Sequence, residues 1–154
     1  MLNVNYINPF IGATLQALEM MAAVRPERGA PFVKTGRAAR GDVSGIIGLA
    51  GEATGSVAVT FPGTLARRIY ANLVGEEAGG ITEEVCDAIG ELANMIAGGA
   101  KAELSQQGCN FQIAIPTIVV GKGHTIDHKG PGPCLVVPFT LDGEEFWLEV
   151  SLAG

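Results

Sequence analysis

The chain has 154 residues, and its 47% hydrophobic and 17% charged content is typical of one folded domain with its own core, so we expect a single domain over residues 1–154. The formal net charge of -6, with only ten Lys and Arg residues, argues against nucleic acid and anionic membranes as partners, because both favour clustered positive charge. No segment approaches the ~20 apolar residues of a membrane span, and no Lys or Arg precedes Arg25 to form the positive start of a signal peptide, so we expect a cytoplasmic protein.

The first half of the chain predicts a helix, three strands and a second helix. Asn8 as N-cap and Pro9 at the first helical position suit a helix that ends before Pro26. Apolar runs bounded by turn residues then predict strands at 32–35, 43–50 and 56–61, the last two joined by the turn sequence GEATG. The second helix follows from apolar residues that recur at helical spacing over residues 65–74, and Gly75 ends it.

The second half begins with the longest predicted helix. Thr82 can cap it, two glutamates in its first turn suit the helix dipole, and the pattern continues to about residue 107 or 108. Further strands are predicted at 111–120, 134–141 and 145–152. Pro116 makes the first of these an edge strand or breaks it, and Asp142-Gly143 predicts a two-residue hairpin turn.

This order of elements predicts an α+β fold. We expect a mostly antiparallel sheet of about six strands, with long helices packed on it. Two strand triplets, each preceded by a helix, also indicate pseudo-duplicated halves, although the halves share no visible sequence identity.

The usual sequence signatures of catalysis are missing. There is no GxGxxG after a strand, no P-loop, no GxSxG, no HExxH and no CxxC pair. His124 and His128 lie in a loop rich in glycine and proline, which favours a solvated loop over a metal site, so we predict no metal in this chain. Cys86, Cys109 and Cys134 are far apart, and the simplest interpretation is reduced thiols that fill space in the core.

One stripe of the long helix carries the remaining candidate site. Steps of four and three residues set Asp87, Glu91 and Asn94 on one face, just before Gly98 and Gly99. The spacing alone allows either a solvent face or an edge that enters a partner's site. The two glycines each disfavour a helix by roughly 1 kcal/mol relative to alanine, which either close helix packing or close approach of a partner would offset.

The long-helix sequence DAIGELANMIAGGAKAEL resembles the signature of the CheX/CheC/FliY family of chemotaxis phosphatases. That signature places Asp or Ser, then Glu, Asn and a later proline at set intervals, and Asp87, Glu91, Asn94 and Pro116 match it in order. The sequences INPFIGATLQALEMMA and GLAGEATGSVAVTF also resemble CheX, so the likeness covers nearly the whole chain. The first helix lacks the second Glu-x-x-Asn pair of relatives with two active helices, which points to one site per chain.

The resemblance implies hydrolysis of the aspartyl phosphate of a CheY-like response regulator. Asn94 would position the attacking water and Glu91 would pair with the regulator's lysine. Asp87 would add a docking contact, and Gly98 and Gly99 would let the helix approach the partner. The required Mg²⁺ would belong to the response regulator, so no cofactor is expected in this chain.

The resemblance also implies a homodimer joined through sheet edges, for which the Pro116 strand and the C-terminal hairpin are candidates. An alternative function is a non-catalytic scaffold that docks a response regulator, or a sensor module with the same fold.

Overall fold

The computed structural model describes residues 4–52, 54–128 and 132–153. Among these residues there are three helices and eight strands. The helices are α1 (Val4–Ala22), α2 (Gly63–Val74) and α3 (Glu83–Gln106). The strands are β1 (Glu27–Arg28), β2 (Phe32–Val33), β3 (Val43–Gly51), β4 (Thr54–Phe61), β5 (Phe111–Ile113), β6 (Thr117–Val120), β7 (Leu135–Leu141) and β8 (Glu144–Ala153). None of these described helices is both long and apolar enough to cross a membrane.

The strands form one antiparallel sheet in the order β1-β7-β8-β4-β3-β5, with β2 also paired to β7 and β6 also paired to β3. The hairpins β3–β4 and β7–β8 therefore meet at the centre, where β4 pairs with β8. The short strands β1 and β2 precede the first hairpin but pair with the second, whereas β5 and β6 precede the second hairpin but pair with the first. This reciprocal arrangement confirms the α+β sheet and agrees with two similar halves.

The sheet has eight strands rather than about six for two local reasons. The segment before β3 contributes two short strands instead of one. Pro116 splits the predicted strand at 111–120 into β5 and β6, because a proline cannot donate to the ladder and both pieces still pair with β3. The predicted turn at Asp142-Gly143 is confirmed, since both residues adopt the positive φ that a tight hairpin requires.

The C-terminal hairpin is not a sheet edge, so that part of the dimer prediction was wrong. Its strand β8 lies between β7 and β4, and the outer side of β7 is paired with β1 and β2. Strands β5 and β6 pair only with β3 and do lie at an edge of the described sheet.

The first helix starts at Val4, not at Asn8, and Pro9 lies inside it. Proline in a helix interior removes a hydrogen bond and is unfavourable by ~3 kcal/mol. Ile7, in the turn before Pro9, is only 2% exposed in the core, and burying such a side chain contributes roughly 1.5–3 kcal/mol. Burial of side chains such as Ile7 therefore offsets the cost of Pro9 inside the helix, so α1 starts earlier than the sequence predicted.

The helices cover one face of the sheet, and among the strands α3 packs mainly against β3. The predicted cap at Thr82 is confirmed, because its hydroxyl accepts a hydrogen bond from the Val85 amide. A Cβ built on Gly45 of β3 would lie 3.1 Å from Cβ of Ala93 in α3. Because Gly45 has no side chain, α3 can approach β3 closely at this point.

Candidate functional site

The polar stripe of α3 lies at the surface, as its spacing predicted. Asp87 and Glu91 are exposed, and Asn94 is half-buried. At 1.5 Å rise per residue, Glu91 and Asn94 lie about 4.5 Å apart along the helix axis, with Asp87 a further ~6 Å away. The carboxylate and carboxamide can therefore contact two neighbouring groups of one partner site.

The two carboxylates of this stripe have no partner within the described part of the chain. The ion pairs among residues 4–52, 54–128 and 132–153 involve neither Asp87 nor Glu91. In the same residues, the Asn94 amide makes no side-chain hydrogen bond. All three groups are thus available to water or to another molecule.

The exposed surface at the start of α3 is acidic. Glu83 and Glu84 occupy its first turn and are exposed, like Asp87 one turn later. Burial, together with the nearby charges of Asp87 and Glu83, raises the pKa of the Cys86 thiol. A partner that approaches this end of the helix with a cation would be favoured by the same charges.

Pro116 packs beside the polar stripe of α3 rather than extending into it. A Cβ built on Gly90, between Asp87 and Glu91, would lie 3.4 Å from Ile118 and 3.9 Å from the Pro116 ring. The proline therefore contributes a flat apolar contact for this turn of α3. Pro116 therefore both separates β5 from β6 and contacts α3.

The two glycines of α3 have different surroundings. A Cβ on Gly99 would lie 3.1 Å from Cβ of Ala13 in α1, so Gly99 permits close helix packing. A Cβ on Gly98 would meet no atom within 4 Å, which leaves its surface open. Both glycines border an open, mostly apolar groove of about 290 Å³ between α1 and α3. Met95, which follows Asn94 in the sequence, also lines this groove.

The matching face of α1 carries no second Glu-x-x-Asn pair. Gln16, Glu19 and Met20 are exposed there, and Glu19 lies 3.9 Å from Arg25. The polar groups of the α3 stripe are therefore not repeated on this helix.

The segment that holds the two histidines is only partly solvated: residues 121–123, 125 and 127 are exposed as predicted, whereas His124 and His128 are half-buried and Ile126 is buried. It crosses the sheet face opposite the helices, where Ile126 is buried against Ala39 and Ala58. Nε2 of His124 lies 2.7 Å from the Ser44 hydroxyl, and Nδ1 of His128 lies 2.6 Å from the Ser56 hydroxyl. Small and hydroxyl side chains on this face leave room for the segment, a property that the loop's own composition does not reveal.

A buried charge cluster beneath this segment was not predicted from the sequence. The Glu149 side chain is fully buried, and its Oε1 atom lies 2.9 Å from Nζ of Lys34 and 2.9 Å from Nε2 of His128. Burial raises the pKa of Glu149, but the hydrogen bonds and charges of His128 and Lys34 outweigh it and hold this pKa below its usual value. Burial and the nearby Glu149 charge raise the pKa of Cys134 to about 12. The only sequence signal is a lone glutamate in the apolar strand FWLEVSL, since its partners lie far away in the chain.

The α3 stripe can orient a water molecule, because a carboxamide both donates and accepts hydrogen bonds. It holds no hydroxyl or thiol nucleophile, although the exposed Glu91 can pair with a cation. Such a site suits a reaction in which the substrate is already activated and water must be placed beside it.

Comparison with known proteins gives consistent matches. A family model described as chemotaxis phosphatase CheX matches residues 43–140. The CheY-P phosphatase CheX of Thermotoga maritima is 28% identical over 148 residues, which cover 95% of this chain and 94% of that protein. The crystal structure of a CheC-like superfamily protein from Shewanella sp. PV-4 is 42% identical with a TM-score of 0.92, covering 99% of this chain and 100% of that one. The CheX–CheY–BeF3–Mg²⁺ complex from Borrelia burgdorferi contains a chain that is 28% identical with a TM-score of 0.84, at 99% and 100% coverage.

Proposed function

The chain belongs to the chemotaxis phosphatase CheX family and is a phosphatase, and we propose that it hydrolyses the aspartyl phosphate of a CheY-like response regulator in the cytoplasm. The observation that carries this proposal is the unpaired surface stripe of α3, with Glu91 and Asn94 one turn apart. The CheY-P phosphatase activity in the name of the Thermotoga maritima relative supports the substrate class. The Borrelia burgdorferi complex of CheX with CheY supports the partner class.

We assign the positioning of water to Asn94. An aspartyl phosphate is a reactive acyl phosphate, so the catalyst mainly has to hold water in line with phosphorus. The Asn94 amide can accept a hydrogen bond from that water and donate one to a phosphoryl oxygen. Its half-buried position restricts the side chain, which lowers the entropy lost on binding.

We assign docking to Glu91, with Asp87 as a secondary contact. A lysine beside the phosphoryl group of the regulator would form a charge-assisted hydrogen bond with the exposed Glu91 carboxylate. This contact fixes the depth at which Asn94 enters the partner's site, about 4.5 Å further along the helix. Gly98, which has open space around it, would contact the partner's backbone.

The Mg²⁺ ion of the reaction is assigned to the response regulator, where it neutralises the phosphoryl oxygens. The Borrelia burgdorferi complex of relatives contains Mg²⁺. The α3 stripe supplies an amide and carboxylates at its surface, and its proposed role needs no cofactor in this chain.

The test compares wild type with Asn94→Ala on a phosphorylated response regulator, following the loss of phosphate over time. We expect the accelerated rate to fall about 100-fold, the scale for lost positioning of a reactant. Asn72→Ala is the matched control, because Asn72 is an exposed asparagine on α2. Equal rates for wild type and Asn94→Ala, or no acceleration by either, would contradict the mechanism. Tight binding of the phosphorylated regulator without faster hydrolysis would favour the scaffold alternative.

Glu91→Gln separates docking from water positioning. We expect its main effect on KM, together with a weaker dependence of KM on salt, because an ion pair to the partner is lost. A double-mutant cycle with the regulator's lysine should show coupling between the two residues. Additive effects of the two substitutions would contradict the proposed pair.

We also infer a homodimer that pairs the edge formed by β5 and β6. Strand β6 has the sequence TIVV and lacks the charges that usually protect a sheet edge. Light scattering should give about twice the chain mass of 15.9 kDa. A mass equal to one chain at micromolar concentration would contradict this inference.

A further inference from the structure

A second cluster of reactive side chains lies on the sheet face opposite the helices. His128 ends the segment that crosses this face, Cys134 directly precedes β7, and Glu149 lies on β8. One potential ligand atom from each residue lies within 4.8 Å of the other two. We propose that His128, Cys134 and Glu149 bind one divalent transition metal ion, with Zn²⁺ as the best fit. This site is separate from the α3 stripe and does not depend on the proposed phosphatase mechanism.

The buried carboxylate of Glu149 provides an independent observation in favour of a ligand. Its Oε1 atom contacts Lys34 and His128, at 2.9 Å each. Its Oε2 atom is buried and has no hydrogen-bond partner among the described residues. A buried polar atom without a partner is unfavourable by about 1–3 kcal/mol, and by more in a charged group. A metal bound to Oε2 would satisfy this atom and leave the Lys34 contact to Oε1 in place.

The donor set selects the class of metal. Imidazole nitrogen, thiolate sulfur and carboxylate oxygen together are typical ligands of Zn²⁺, whereas Mg²⁺ and Ca²⁺ prefer oxygen alone. Sγ of Cys134 lies 3.9 Å from Oε1 of Glu149, and Nε2 of His128 lies 2.9 Å from it. Two ligands of a tetrahedral zinc ion are separated by roughly 3.3–3.6 Å, given bond lengths of ~2.0–2.3 Å. Oε2 belongs to the same carboxylate as Oε1, so small side-chain movements that turn Oε2 toward Nε2 and Sγ would complete three ligands and leave a fourth position for water.

A hydrogen bond behind the site already orients the imidazole. Nδ1 of His128 lies 2.6 Å from the hydroxyl of Ser56 on β4, so Nε2 is directed toward Glu149. Histidine ligands usually hold the second ring nitrogen in this way. On binding, the hydrogen bond from Nε2–H to Oε1 of Glu149 is given up: the neutral ring keeps its one proton at Nδ1, where it donates to the Ser56 hydroxyl, and the Nε2 lone pair goes to the metal. A metal–sulfur bond forms at Cys134 while the thiol proton passes to solvent.

The test titrates chelator-treated full-length protein with Zn²⁺ in competition with a chromogenic chelator. We expect one equivalent to bind wild type, at least tenfold weaker binding for Cys134→Ser and for His128→Gln, and about tenfold weaker binding for Ser56→Ala. Cys86→Ser is the matched control, because Cys86 lies on α3, outside the cluster, and it should bind like wild type. Circular dichroism confirms that each variant is folded.

Cobalt provides a direct signature of the sulfur ligand. Co²⁺ should give a thiolate-to-metal charge-transfer band in wild type and in Cys86→Ser, but not in folded Cys134→Ser. Binding of less than one equivalent of Zn²⁺ to wild type would overturn the proposal. The same conclusion would follow if Cys134→Ser bound Zn²⁺ as tightly as wild type.

Discussion

Replacement of Lys34 by methionine tests the buried Lys34–Glu149 ion pair on the sheet face opposite the helices. The side chains of Lys34 and Glu149 are 7% and 0% exposed, and Nζ lies 2.9 Å from Oε1. At an effective dielectric constant of ~20, two unit charges at this distance attract by roughly 6 kcal/mol, which offsets the desolvation of both groups. Removing one partner of a buried pair typically destabilises a protein by about 3–5 kcal/mol. We expect about 3 kcal/mol for Lys34→Met, because His128 still contacts the carboxylate.

Urea and thermal unfolding followed by circular dichroism, with a chelator present, measure this effect. A loss of about 3 kcal/mol corresponds to a fall in Tm of roughly 6–12 °C for a domain of this size. The control Lys122→Met removes an exposed lysine and should change stability by less than about 0.5 kcal/mol. The double variant Lys34→Met/Glu149→Met should recover about half of the loss, because it leaves no buried charge unpaired. A loss below about 1 kcal/mol for Lys34→Met would refute the reasoning.

The same pair predicts a dependence of stability on pH. The folded-state pKa of Glu149 is lowered, so its contribution to stability is present above the unfolded value of ~4.3. This contribution is lost as the pH falls from about 4.3 through the lower folded pKa. The stability difference between wild type and Lys34→Met should therefore shrink across this acidic range, as measured by urea unfolding at each pH. A difference that stays constant would show that packing of the lysine stem, and not its charge, stabilises the protein.

Three further substitutions and one alkylation reaction test other parts of the structure. Gly45→Val should destabilise the protein by about 1–3 kcal/mol and lower phosphatase activity, because it pushes α3 away from the sheet; unchanged unfolding and activity would contradict this role. The added methyl of Gly98→Ala would meet open space and should stabilise the helix by up to ~1 kcal/mol. The methyl of Gly99→Ala would contact α1, so this variant should not be stabilised. Slower turnover of the stabilised Gly98→Ala would identify a partner contact at this position. Iodoacetamide at neutral pH should modify Cys86 before Cys134, whose pKa is raised to about 12, and peptide mass spectrometry showing the reverse order would contradict this pKa.

The candidate phosphatase site was predictable because it lies within one helix. Asp87, Glu91 and Asn94 share a face through the 3.6-residue helical repeat alone, and the structure leaves that face at the surface. Their catalytic and docking roles stay predictions until the variants are measured. The different surroundings of Gly98 and Gly99 were not predictable, because they depend on where α1 crosses α3.

The buried charge cluster around Glu149 could not be predicted from local sequence patterns. Lys34 and Glu149 are 115 residues apart, and their contact exists only because β2 and β8 lie on opposite sides of β7. The sequence of the histidine segment is polar and turn-rich, which favoured solvent exposure. The burial of Ile126 within it depends on the small side chains of other parts of the chain, such as Ala58.

The sequence by itself determined the helices, the main strands, the hairpin at Asp142-Gly143 and the family, because each depends on short-range patterns of apolar, turn and polar residues. Only the tertiary structure decided that the C-terminal hairpin lies inside the sheet, that α1 continues through Pro9, and that His128, Cys134 and Glu149 meet. These outcomes depend on long-range strand pairing and on burial, which outweigh local preferences of about 1–3 kcal/mol.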